Sequence, residues 1–188
     1  MKFRLVFIVG RHCYADNFYV KIRNMNYKRL FVPNTIVFIT IVTNNRIPLL
    51  IKNSVLIKQA IKETNKFYDF RIIAYIILDD HIHLLLKPKN IAEYPKIIRA
   101  IKYNFTVGIA MPTYNKLWQS RYYEHTIRDE KDLYRHLDYI HYNSIKHYNI
   151  SPKCWRYSSF LQFVKKDWYG ENWCNTEDKY GIEDLNYE

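Results

Sequence analysis

Glycine, cysteine and long apolar runs are what this chain of 188 residues has least of. With only 4 glycines and no Gly/Ser-rich linker, it offers few hinges at which to divide into domains. Its three cysteines, Cys13, Cys154 and Cys174, are odd in number, widely spaced and without a C-x-x-C pair. That excludes a disulfide framework and a thiolate zinc site. No apolar run approaches the roughly 20 residues that cross a bilayer, so a membrane-spanning protein and a membrane partner are excluded. Leu5 to Val9 is too short for a signal-peptide core and runs into Arg11 and His12, so the expected location is cytoplasmic. Internal repeats and low-complexity tracts are absent as well, which leaves one compact domain as the simplest organisation.

Positive charge and aromatic rings are plentiful. Lys and Arg number 29 against 18 Asp and Glu, a net charge of +11, and aromatics reach 17% with 18 tyrosines. A polyanion is the natural partner for such a surface, and the rings could supply stacking platforms for bases. Apolar residues at 48% and charged residues at 25% otherwise match a globular domain.

Along the chain, Ile36 to Thr43 is a β-branched and aromatic run suited to a buried strand. Ser54 can cap a helix in which Leu56, Ile57, Ala60 and Ile61 recur at helical spacing to about Tyr68. Arg71 to Leu78 and His81 to Lys87 are strands joined by the turn Asp79-Asp80, which makes them a hairpin. Pro95 opens a second helix, with Ile97, Ile98 and Ile101 on one stripe, fading near Gly108. Leu117 to Ile127 reads as a fourth strand. Asp129 then caps a third helix, with Glu130 and Asp132 in its first turn, running to about Tyr148. The order β-α-β-β-α-β-α predicts an α+β fold of the ferredoxin-like, split-βαβ type: an antiparallel sheet with helices on one face plus a C-terminal helix.

The first chemistry-bearing pair is His81-Ile82-His83. Residues two apart on a strand share a face, so the two imidazoles stand side by side while Ile82, Leu84 and Leu86 point into the core. Adjacent neutral imidazoles form a half-site for a divalent metal. On the third helix, at about 100° per residue, Asp132, His136, Tyr139, Asn143 and Lys146 fall on one polar face. Leu133, Leu137 and Ile140 fall on another, which would pack on the sheet. Tyr139 and Asn143, four apart, are vertical neighbours. A phenol can act as a covalent nucleophile, and an amide oxygen complements two imidazoles around a hard metal. With 18 tyrosines, spacing does not single out Tyr139; Tyr134 and Tyr142 lie on the same helix about 140° and 60° around it.

From Met25 to about Trp173 the sequence resembles the REP-associated tyrosine transposases, a branch of the single-tyrosine HUH transposases. The stretches that carry the likeness are Asn26-Tyr27-Lys28-Arg29 with Phe38 to Thr43, and Asp80-His81-Ile82-His83-Leu84-Leu85. They continue with Trp118 to Glu130, His136-Leu137-Asp138-Tyr139-Ile140-His141-Tyr142-Asn143, and Trp155 to Phe160. The resemblance implies that His81 and His83 bind Mg²⁺ or Mn²⁺ and that Asn143 completes the metal site. It implies that Tyr139 attacks a DNA phosphate to give a 5′-phosphotyrosine and a free 3′-OH. The implied partner is single-stranded or hairpin DNA, handled by a cytoplasmic, nucleoid-associated monomer or homodimer. Alternative readings are a hairpin-DNA-binding protein without catalysis, another HUH nickase, and, more distantly, a ferredoxin-like metal-dependent ribonuclease.

Two departures from the family pattern stand out. Asp79 replaces a usual proline, and after Asn143 the stretch Ser144-Ile145-Lys146-His147-Tyr148 replaces a usual Pro-Val-Lys-His-Gly, a loss of Pro and Gly expected to let the third helix run on. Residues 1–24 have no counterpart in the pattern and are read as an extension ahead of a biological start at Met25. Residues 25–150 are read as the catalytic domain and 151–188 as a C-terminal tail. Lys28, Arg29, Lys102, Arg121, Arg128, Lys146 and Arg156 are candidate DNA-phosphate contacts. Trp118 and Trp155 are read first as buried rings and second as base-stacking platforms. Glu124 and His125 receive no role.

Overall fold

The structure, a computed structural model, describes residues 35–110 and 116–174. Residues 1–24, with Cys13, lie outside the described residues, as do Lys28 and Arg29 and the last part of the expected tail. The described elements are β1 (Val37–Val42), α1 (Ser54–Asn65), β2 (Phe70–Ile77), β3 (His81–Pro88), α2 (Tyr94–Gly108), β4 (Tyr123–Thr126), α3 (Glu130–Tyr148) and α4 (Phe160–Val164). Four strands form one antiparallel sheet in the order β2-β3-β1-β4. This is the interleaved arrangement of a split βαβ unit, as the element order predicts. No described helix is long and apolar enough to cross a membrane.

Alternation along β1 and β3 gives the sheet two different faces. Val37, Ile39 and Ile41 join Ile82, Leu84 and Leu86 under α1 and α2, where Ile57, Ala60, Ile97, Ile98, Ile101 and Phe105 close a mainly aliphatic core. Phe38, Ala74, Ile76 and Leu85 face the other way, toward Leu137, Tyr139, Ile140 and Ile145 of α3. Helices therefore cover both faces: α1 and α2 on one, α3 on the opposite one.

Several local expectations are corrected. Ser54 is the first residue of α1 rather than its cap; Asn53 stands at the cap position, its side-chain amide donating back to the Leu49 carbonyl at 2.8 Å. The fourth strand is confined to Tyr123–Thr126. Upstream, the Trp118 indole packs on Phe105 and donates to the Lys102 carbonyl at 3.1 Å, leaving a lone bridge to Thr43 in place of a continuous strand. Asp129 caps α3 as expected, accepting from the Asp132 amide at 2.8 Å. At its other end α3 does not run on. Asn149 takes the left-handed conformation (φ 53°, ψ 36°) that glycine usually supplies and closes the helix after Tyr148.

The largest difference is the burial of α3. Asp132, His136, Tyr139 and Asn143, expected on a polar face, are all buried, and only Lys146 of that group is exposed. The cause is that this face is itself laid on the sheet, His136 and Tyr139 packing on Phe38 and Tyr139 on His83, while the segment after the helix covers another side of α3. Phe160 and Phe163 of α4, with Tyr169, ring His141 on the side of α3 away from the sheet. Ser159 ties this segment to the edge strand, its hydroxyl meeting His141 Nε2 at 2.9 Å and the Tyr75 amide donating to it at 3.0 Å. Burial drops the His141 imidazole to about 3, so it is neutral at physiological pH.

Candidate active site

The site forms where β3 and α3 face each other. His83 sits opposite Thr40 in the β1–β3 register, and its Nδ1 lies 2.8 Å from the Thr40 hydroxyl. His81 Nδ1 donates to Asp80 Oδ1 at 2.6 Å, and Arg46 donates to the other oxygen of that carboxylate at 3.0 Å. Burial raises the Asp80 carboxyl, but His81 and Arg46 outweigh it and hold the group below the ordinary carboxylate range. With both Nδ1 atoms engaged, Nε2 is the ring atom each histidine offers a ligand, and both Nε2 atoms are buried. The two rings stand edge to face, 4.8 Å between centroids.

Tyr139 reaches this pair from the helix. Its ring lies 5.1 Å from that of His83, edge to face, and 5.9 Å from Phe38. Lys146 Nζ stands 5.4 Å from the Tyr139 ring centroid, a cation on the ring face. Asn143, one turn on, donates its amide N–H to the Tyr139 carbonyl at 2.6 Å, and its Oδ1 is buried with no hydrogen-bond partner among the described residues. A buried orphan acceptor costs free energy unless something completes it. Two imidazole nitrogens and an amide oxygen are a donor set for a divalent cation, and the orphaned Oδ1 fits that use. Of the other tyrosines weighed on this helix, Tyr134 donates its hydroxyl to Glu130 at 2.8 Å, away from the histidines. Tyr139 is fully buried, so a phosphate can reach it only if the ring or the helix moves.

A second cluster, with no role assigned from the sequence, lies one ring away. Asp132 is bonded by His125 Nε2 at 2.8 Å and by Arg128 Nε at 3.2 Å, and His136 Nδ1 lies 3.2 Å from its other oxygen. The His136 ring is 4.8 Å from Phe38. The donor types would suit a metal, and the ligand atoms of His125, Asp132 and His136 lie within 4.8 Å of one another. Yet the two imidazoles are stacked at 13° with centroids 4.6 Å apart, so an ion in the plane of one ring lies out of the plane of the other. The arrangement suits a carboxylate shared between hydrogen bonds. Burial, chiefly, lowers His136 to about 4. Its signal in the sequence is the i, i+4 pair Asp132 and His136 opposite the strand residue His125.

The candidate DNA contacts are scattered. Lys102 is on α2, half-buried, donating to the Gln119 carbonyl at 2.7 Å, and burial lowers its pKa. Arg121 is exposed ahead of β4, and Arg128 is exposed but engaged with Asp132. Arg156 is exposed and rests on the Tyr157 ring at 5.3 Å. Trp118 and Trp155 are both buried, each with its indole N–H satisfied, which matches the first of their two readings. The supports missed from the sequence are Thr40 and Arg46. Strand alternation places Thr40 on the histidine face; nothing local in the sequence brings Arg46 to Asp80.

Comparison with known proteins places this geometry in context. The family model described as "Transposase IS200 like" matches residues 31–143. A Haemophilus influenzae protein bearing the provisional name REP-associated tyrosine transposase is 39% identical over 167 residues, covering 81% of this chain and 95% of that protein. The REP-associated tyrosine transposase of Escherichia coli is 29% identical over 150 residues, covering 78% and 89% respectively. Among solved structures, a REP-associated tyrosine transposase bound to a REP hairpin matches with a TM-score of 0.74 at 27% identity, covering 87% of this chain and 99% of that one.

Proposed function

The chain belongs to the IS200-like transposase family, and from that premise we propose that it cleaves and rejoins single-stranded DNA beside a hairpin, with Tyr139 as the nucleophile. His81 and His83 through Nε2, and Asn143 through Oδ1, would hold a divalent cation, Mg²⁺ or Mn²⁺. Such an ion supplies Lewis-acid stabilisation of the charge that develops on a scissile phosphate.

The protein's own groups do the rest. Thr40 and Asp80 fix the two imidazoles in the orientation that leaves Nε2 available. The Tyr139 oxygen gives up its proton and attacks phosphorus while the bond from phosphorus to the 3′-oxygen breaks. The products are a 5′-phosphotyrosine and a 3′-OH carrying a proton. Lys146 Nζ over the phenol ring would set a positive charge against the ring as it takes on the phenolate's negative charge. Attack by a 3′-OH on the phosphotyrosine reverses the chemistry and joins strands. That a structurally similar relative is bound to a REP hairpin supports a hairpin with a single-stranded flank as the substrate here.

The observation that carries this reading is the Tyr139 ring packed 5.1 Å from His83 across the β3–α3 junction. Its test is incubation with a hairpin oligonucleotide and Mn²⁺. A covalent adduct resistant to denaturant is expected, absent in Tyr139→Phe and in the presence of EDTA. The complete burial of Tyr139 favours a second reading, a hairpin binder that no longer cuts; tight binding with no adduct under any metal would select it.

A further inference from the structure

Two of the residues that depart from the family pattern, Asp79 and Tyr148, touch each other. Tyr148, the last residue of α3, donates its hydroxyl to Asp79 Oδ2 at 3.0 Å and accepts the Asp79 backbone N–H at 3.1 Å. A proline at 79 has no N–H to give, and a glycine at 148 has no ring to receive it. The Tyr148 ring is itself held, stacked on Trp155 at 4.6 Å and 17°, while the Trp155 indole donates to the Ile77 carbonyl at 3.2 Å. Asp79 is held as well, its carbonyl accepting from Leu50 at 2.9 Å. Burial, first, with Asp79 and Asp80 beside it, pushes the Tyr148 phenol up to about 12, so it remains a donor at neutral pH.

We infer that the Asp79–Tyr148 contact is a positioning clasp that sets the register of α3 along β3, and so the placement of Tyr139 and Asn143 against His81 and His83. The inference rests on the reading of Tyr139 as nucleophile. His81 and His83 belong to β3 and Tyr139 to α3, so their separation depends on how far the helix slides over the sheet. A slide by one residue is about 1.5 Å, enough to break both clasp bonds. The clasp anchors the helix end to the residue two before His81, and a misplacement on that scale is costly to a reaction that needs an aligned attack.

Tyr148→Phe keeps the stack on Trp155 and removes both bonds; Asp79→Pro removes the partner. Each is expected to slow single-turnover adduct formation about tenfold, with hairpin Kd unchanged within about twofold. The double variant should be no slower than the slower single one, and Asp79→Asn, which retains the N–H and an acceptor oxygen, should recover the wild-type rate within about twofold. An unchanged rate in Tyr148→Phe, losses that multiply in the double variant, or Kd weakening in step with the rate would each overturn the clasp while leaving Tyr139 chemistry intact. If Asp79→Pro fails to fold, Tyr148→Phe and Asp79→Asn decide the matter. Absence of any adduct in the wild type would instead remove the nucleophile reading, and the clasp with it.

Discussion

The two faces of the sheet are built from the same strands and bury side chains equally well, yet they bury different chemistry. Under α1 and α2 the core is apolar, mainly aliphatic with the rings of Phe70, Tyr94, Phe105 and Trp118, and the buried hydroxyl of Thr64 is satisfied by the Ala60 carbonyl and by Asn104. Under α3 the strands and helix bury His81, His83, His136, His141, Tyr139 and Asn143. Buried imidazoles and an orphaned amide oxygen cost stability, whereas aliphatic contacts supply it. One face holds the domain together so that the other can keep a reactive, imperfectly satisfied arrangement, the usual relation between scaffold and site.

The contrast breaks most sharply on the aliphatic face. Ile98→Ala, at a fully buried position between α2 and the sheet, should cost about 3 kcal/mol of unfolding free energy, from lost transfer energy and the cavity left behind. Adduct formation by the folded fraction should stay within about twofold of wild type. Urea denaturation with single-turnover assays checks both halves; a large kinetic loss without a stability loss would mean that the faces are not separable.

The next effect belongs to the polar face and to pH. His136 falls from an ordinary value of 6.5 to about 4 on folding, mainly through burial. Between those values the unfolded chain binds the proton and the native protein does not, so this residue's contribution to stability falls as pH drops through 6.5 toward 4. From pH 7 to pH 5 the loss from this one imidazole is about 2 kcal/mol. His136→Gln should therefore show a pH 7-to-5 stability change smaller than wild type by that amount in paired urea titrations. Identical slopes in the two proteins would mean that His136 titrates normally and the burial argument is wrong.

What could be read in advance divides along the same two faces. The aliphatic face was legible because period-2 and period-3.6 stripes report burial directly, as with Ile97, Ile98 and Ile101. Spacing put His81 beside His83 on one strand face and Tyr139 beside Asn143 on one helix face, but it did not single out Tyr139 among 18 tyrosines; joining the two pairs rested on the family resemblance. The burial of α3 was not, since Asp132, His136, Tyr139 and Asn143 read as a polar stripe although that stripe packs on Phe38 and His83 of the sheet, and the cover over His141, Phe160, Phe163 and Tyr169, has no long periodic run. Nor was the end of α3, where Asn149 does a glycine's work. Long-range pairs such as Arg46 with Asp80 and Tyr148 with Asp79 leave no local trace, because they depend on where separate loops arrive.

The smallest effect is the most discriminating, because it has the opposite sign on the two faces. Asn143 is a buried amide whose Oδ1 has no hydrogen-bond partner among the described residues, so the native state bears part of its desolvation cost. Asn143→Leu is close in volume and removes that cost, while the Tyr139 carbonyl loses only a side-chain donor. Stability should rise by about 1 kcal/mol as adduct formation falls at least tenfold. Truncating an aliphatic side chain under α1 and α2 has no such cost to relieve and can only open a cavity. An Asn143→Leu variant less stable than wild type would show that the amide is a structural group, and would remove Asn143 from the ligands proposed for a cation.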